Sequence, residues 1–183
     1  MSYYHLAAAL AAARLGEEAL SRFEAAARSF KEAGGPDAPL AWRSLSLRAA
    51  VLARLGRLDE ADREFATLAS TDRPAAENAA HAVRLAFLRS RQHRHEEAIA
   101  LAHSGAEGLR GTGRNASAYA ESTLGQVLLA AGRHAEAIPA LQRSVAIYAK
   151  VEVTTSPDHG EATAALARAR AALADGVGGA LVA

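Results

Sequence analysis

Apolar stretches rich in alanine and leucine alternate along the chain with short polar breaks, most of them carrying glycine or proline. Alanine is the strongest helix former, and no Val/Ile/Thr-rich alternating run interrupts the pattern, so the chain is predicted to be all-α. Nine helices are predicted: 3–14, 17–33, 37–54, 59–69, 74–91, 95–109, 115–131, 134–150, and a last one starting at 156–158 and ending near 174. Gly34-Gly35-Pro36 closes the second of these, because glycine accepts a left-handed cap and proline forbids continuation. Asp37 suits the N-cap of the third, and Thr71 or Asp72 that of the fifth. Val151-Glu152-Val153-Thr154-Thr155 is the one loop with extended character. No internal linker is long enough to divide the chain. One domain is therefore expected over 1–175, with a flexible tail over 176–183.

The breaks repeat one another. Leu55-Gly56-Arg57-Leu58-Asp59-Glu60-Ala61, Gln92-His93-Arg94-His95-Glu96-Glu97-Ala98 and Ala131-Gly132-Arg133-His134-Ala135-Glu136-Ala137 are three versions of one string. Leu15-Gly16-Glu17-Glu18-Ala19 is a shortened fourth. Their alanines, Ala19, Ala61, Ala98 and Ala137, stand 42, 37 and 39 residues apart. A turn recurring at such an interval between two Ala-rich segments marks stacked helical hairpins.

Composition narrows the function classes. Of 183 residues half are hydrophobic but only 5% aromatic, which favours thin helical layers approaching closely. With 21 basic and 20 acidic side chains, there is no electrostatic case for a partner that is duplex nucleic acid or a membrane surface. Arginine supplies nearly all the positive charge; the lysines are Lys31 and Lys150. Cysteine is absent, which excludes disulfides and thiolate metal sites. The first residues lack a basic leader and the apolar run 6–13 is short, so a cytoplasmic chain is expected.

The repeated residues resemble the tetratricopeptide repeat. The fullest copy is Leu124-Gly125-x-x-Leu128-x-x-x-Gly132-x-x-x-x-Ala137-Ile138-x-x-Leu141-x-x-Ser144. A second carries Ala49, Leu52, Gly56, Ala61, Phe65 and Leu68. A third has Leu85, Ala86, Ala98 and Gly105, with His93 where the turn glycine belongs, and the first has Ala9, Ala12, Gly16, Ala19, Phe23 and Ala26. The spacing exceeds the ~34-residue standard period, and so looks like the longer repeats of bacterial regulators and sensors. The resemblance implies a right-handed α-solenoid of about four hairpins plus a C-terminal capping helix.

It also implies a function: a non-catalytic scaffold or adaptor that holds a protein or peptide segment in a concave groove lined by the first helix of each hairpin. Carried over by repeat position, Tyr3, Leu6 and Leu10 line it in the first copy, and Arg43, Ser46, Leu47 and Arg54 in the second. Val83, Arg84, Phe87 and Arg91 follow in the third, then Tyr119, Ser122, Thr123 and Gln126 in the fourth. Four arginines near aromatic rings suit an acidic or C-terminal segment. Equally, they read as a solvated face whose alkyl stems cover alanines. The lysine and asparagine clamp of chaperone-tail binders has no counterpart, since the matching positions hold Leu6 and Leu10, or Ser46 and Ala50.

No catalytic residue, cofactor or metal ligand set is expected. His93, His95, Glu96, Glu97 and His103 contain histidine and carboxylate, but lack the spacing of a zinc helix and read as an exposed turn. Gly108-x-x-Gly111-x-Gly113-Arg114 has no preceding strand and no Lys-Ser/Thr, so it reads as a helix connection rather than a phosphate loop. Two other readings stay open. One is an effector-sensing or partner-binding module of a bacterial transcriptional regulator, whose DNA-binding part would lie elsewhere. The other is a small-molecule-binding helical protein. Self-association as a homodimer through Ile147, Tyr148, Val151 and the apolar 180–183 is a further expectation.

Overall fold

The computed structural model describes residues 16–34, 39–69, 73–150 and 157–180. Among them are eight helices and no strand: α1 (Gly16–Gly34), α2 (Pro39–Arg54), α3 (Leu58–Thr67), α4 (Ala75–Arg91), α5 (His95–Gly108), α6 (Arg114–Ala130), α7 (His134–Lys150) and α8 (Pro157–Ala180). The helix predicted at 3–14, the cap residues Asp37, Thr71 and Asp72, and the loop 151–155 lie outside the described residues. The fold is all-α, as the alanine content and the absence of strand patterning require. The last helix reaches Ala180, beyond the end near 174 that its glycines suggest. The chain divides into two compact units, Met1–Glu77 and Asn78–Ala183.

In the first unit α2 packs against both α1 and α3. Phe23 of α1 and Phe65 of α3 are buried, each one helical turn after a fully buried repeat alanine, Ala19 and Ala61. Trp42 is buried. Its indole N–H donates to the Leu68 carbonyl at 3.2 Å. The Arg73 guanidinium lies 4.0 Å above the same ring and donates to the same carbonyl at 2.9 Å, closing the end of α3. Arg48 of α2 holds Glu64 of α3 through two contacts of 2.8 and 2.9 Å.

In the second unit α7 packs on α6 and on α8, and α6 also packs on α5. One apolar core joins Val83 and Ala86 of α4, Ala98 and Ala102 of α5, Leu124 and Val127 of α6, Leu141 of α7 and Leu166 of α8. Ala98 and Ala137 have no exposed surface, like their counterparts in the first unit. Glycine sets the closest approach: a Cβ on Gly125 would stand 2.4 Å from Leu141 Cγ, and one on Gly105 2.5 Å from a Val83 methyl. The motif residue Ser144 is buried and donates to the Ala118 carbonyl across the α6–α7 contact at 2.8 Å.

Three turns share one hydrogen-bond pattern. Gly56 N–H reaches the Ala53 carbonyl and Arg57 N–H the Leu52 carbonyl. His93 and Arg94 do the same onto Ser90 and Arg89, and Gly132 and Arg133 onto Leu129 and Leu128. This paired cap satisfies the last carbonyls of a helix and needs a left-handed residue at its first position. Gly56 and Gly132 take φ of 82° and 76°, and His93 is forced to 61°. The following arginine then opens the next helix: the carbonyls of Arg57, Arg94 and Arg133 accept from Ala61, Ala98 and Ala137, each at 3.0 Å.

Candidate functional site

The structure separates the residues of the expected groove by exposure and partners. Tyr3, Leu6 and Leu10 lie outside the described residues. On α2, Arg43 is partly buried and pairs with the Glu77 carboxylate, while Arg54 is exposed. Ser46 has no exposed surface at all, so it offers nothing to a partner. α2 packs against helices on two sides, which turns this position inward. Val83 is buried in the apolar core, and Ser122 and Thr123 are buried on α6, which packs against both α5 and α7. Thr123 spends its hydroxyl on the Tyr119 carbonyl, and Ser122 accepts from the Gln126 amide at 3.0 Å.

What remains at the surface of the second unit is a smaller set. Arg84 and Phe87 of α4 are partly buried, and Arg91 of the same helix is exposed, with no side-chain partner among the described residues. Spacing of three and then four residues puts these three on one helix face. On α6, Tyr119 is partly buried against the apolar core, and Gln126 is partly buried further along the same helix.

The turn arginines are differently occupied. Arg57 grips Glu60 with two bonds of 2.7 Å, and Arg133 grips Glu136 with two of 2.6 Å. Arg94 sits 2.5 Å from Glu97. These hydrogen bonds hold the Glu60 and Glu136 carboxyls below their ordinary range and push Arg57 and Arg133 up. Glu64 moves the other way: burial raises it despite Arg48.

A cavity of about 590 Å³ opens in the second unit between the end of α5, the α5–α6 turn and one face of α7. Its apolar wall comes from Ala106, Ala146 and Ile147. Arg110, Arg143 and Lys150 stand around it, and Gly111 and Gly113 of the turn complete the rim. Glu121 also lines it, with 7% of its side chain exposed, and accepts from Arg143 at 2.9 Å. Arg110 and Lys150 are exposed and have no side-chain partner among the described residues. Ser117, at the cavity edge, donates its hydroxyl to the Leu109 carbonyl at 2.7 Å. The cavity therefore offers positive charge beside apolar surface, rather than a nucleophile held by a base.

Sequence reasoning read the Gly108–Gly113 stretch correctly as a connection but did not see what it borders. The signal was present only in part as spacing: Arg143, Ile147 and Lys150 fall on one face of α7, and Ser117 and Glu121 on one face of α6, while Arg110 follows the end of α5 in the turn. Among the described residues no group of three or more His, Cys, Asp and Glu is placed to hold a metal. His93 and His95 meet edge to face with centroids 5.8 Å apart, and His95 Nδ1 is buried without a hydrogen-bond partner among the described residues. No described helix is long and apolar enough to cross a membrane.

Residues 77–150 match the tetratricopeptide repeat family. No curated protein sequence matches the chain. Two solved structures of a Podosopora anserina protein, described as a putative kinesin light chain with nearly identical TPR-like repeats, are similar in fold. The first, a singly substituted form, has a TM-score of 0.64 at 20% identity, over 95% of this chain and 86% of that one. The second has a TM-score of 0.63 with the same identity and coverage. At such identity the likeness is one of fold: consecutive helical hairpins of the tetratricopeptide type.

Proposed function

We propose that this chain is a non-catalytic scaffold that holds an acidic protein or peptide segment along α4 and α6. The carrying observation is Arg91. It is an exposed guanidinium with no partner among the described residues, in line on α4 with Arg84 and Phe87. A planar cation beside an aromatic ring suits a carboxylate-bearing segment, through paired N–H···O bonds and stacking. Tyr119 and Gln126 on α6 add a second aromatic and an amide on the matching hairpin of the repeat. The tetratricopeptide match over 77–150 takes in all of α6 and α4 from Glu77 onward, and supports the same reading.

The test is peptide selection on the full chain, followed by titration of the selected peptides against wild type and Arg84→Glu/Arg91→Glu. Acidic peptides should be enriched, and their affinity should fall by about tenfold or more in the variant. Selected peptides that bind both proteins equally would reject this face as the recognition surface.

A further inference from the structure

We infer that the α5–α6–α7 cavity is a second binding site, for a small amphipathic anion with one acidic head on a compact apolar body. Its volume, about 590 Å³, lies within the ~300–1,000 Å³ usual for small-molecule pockets. Its chemistry is divided. Ile147 and the alanines of α5 and α7 give an apolar wall, and the cations stand around it.

The charge does not cancel. Glu121 is almost fully buried and is taken up by Arg143, so that pair is internally neutral. Arg110 and Lys150 are left as two positive charges lining the same space, with no anionic partner among the described residues. Lys150 is one of only two lysines in the chain. Gly113, the N-cap of α6, also lines the cavity, so the positive end of that helix adds to the same field. An anionic head placed between Arg110 and Lys150 would let its apolar body lie against Ile147. A neutral ligand leaves the cations unused, and a cationic one meets repulsion.

This site is separate from the α4–α6 face and involves none of its residues. The test titrates the full chain with three probes by calorimetry: octanoate, which carries head and body; inorganic phosphate, which carries a head alone; and octylamine, which carries the body with the opposite charge. Octanoate should bind saturably at one site, phosphate more weakly, and octylamine not at all. Raising the salt concentration should weaken octanoate binding. Arg110→Glu/Lys150→Glu should weaken it about tenfold or more, since attraction becomes repulsion. Arg110→Gln/Lys150→Gln should do so to a smaller degree, and serves if the reversal perturbs folding. Arg84→Glu/Arg91→Glu should leave octanoate binding unchanged, which separates this site from the proposed segment-binding face. No saturable octanoate binding overturns the inference, as does equal binding of octanoate and octylamine. Binding of an acidic peptide that depends on Arg110 and Lys150, with none of octanoate, overturns it in favour of a peptide site.

Discussion

Replacing His93 with glycine should stabilise the protein, and replacing Gly56 or Gly132 with alanine should destabilise it. All three residues sit at the same point of the same helix cap, at φ of 61°, 82° and 76°. A residue with a Cβ loses about 1–2 kcal/mol in the left-handed region. Glycine escapes that loss, but its greater freedom in the unfolded chain takes back about 0.4–1 kcal/mol. The balance for His93→Gly is a gain of about 0–1.6 kcal/mol, centred at about 0.8. A Cβ built on Gly56 or Gly132 meets nothing within 4 Å, so no clash adds to the alanine variants. The same balance then applies with its sign reversed. His93 is exposed, and its ring contact with His95 is the only interaction of its side chain that glycine would remove among the described residues.

Urea unfolding followed by far-UV circular dichroism measures all three, and a shift in midpoint without a change in slope assigns the effect to stability. Because the chain forms two compact units, Trp42 fluorescence is recorded alongside for Gly56→Ala, which lies in the same unit as the tryptophan. His93→Asn should fall between histidine and glycine, since asparagine tolerates the left-handed region. A lower midpoint for His93→Gly, or a higher one for Gly132→Ala, would refute the assignment of strain to this position.

Gly125→Ala should lower stability by about 1–3 kcal/mol, because its Cβ would press on the fully buried Leu141. Combining it with Leu141→Ala should cost less than the sum of the two single changes, measured as a double-mutant cycle in urea. Glu64 should make the protein less stable as the solution becomes less acidic. Its folded carboxyl titrates above the ordinary 4.5, so its contribution is complete below pH 4.5 and is lost as pH rises through the raised value. Glu64→Gln should remove that decline, and a thermal-midpoint difference from wild type that stays constant between pH 4.5 and neutrality would reject the idea. Glu60 and Glu136 act in the opposite direction. Their lowered carboxyls contribute above pH 4.5 and lose that contribution as pH falls through the folded values, so Glu60→Gln/Glu136→Gln should flatten the acid limb of the same curve.

The repeat alanines and the turns were legible because both are local statements. A small side chain that ends a string repeated along the chain, four residues after an arginine in three of its copies, marks where helices touch, and Ala19, Ala61, Ala98 and Ala137 are all fully buried. Even the departure at His93 was legible: the string demands a left-handed residue there, and histidine adopts it. Burial of polar positions was not legible in the same way. Ser46, Ser122 and Thr123 lie on helices packed from more than one side, and the hydroxyls of Thr123 and Ser122 find partners there, the Tyr119 carbonyl one turn earlier and the Gln126 amide one turn later. The cavity escaped because no single stretch contains it. Arg110, Arg143 and Lys150 become neighbours only when α5, α6 and α7 pack together.

The arginines of this chain, with Lys150, sort by what they already hold, and that sorting decides which of them the two proposed sites can draw on. Arg57, Arg94 and Arg133 follow the three turns, and each is tied to the glutamate three residues on. Their guanidinium groups are engaged in opening a helix, so they have little left for a partner. Arg91, Arg110 and Lys150 have no such tie among the described residues. Substitution should therefore separate two effects. Arg94→Gln should shift the unfolding midpoint slightly and leave both peptide and octanoate binding as they are, because an exposed ion pair contributes little to stability. Arg91→Gln should leave the midpoint in place and weaken peptide binding alone, and Lys150→Gln should do the same for octanoate alone. If Arg94→Gln abolished binding while Arg91→Gln and Lys150→Gln did not, the turns themselves would be the recognition surface and the partition between structural and available cations would fail.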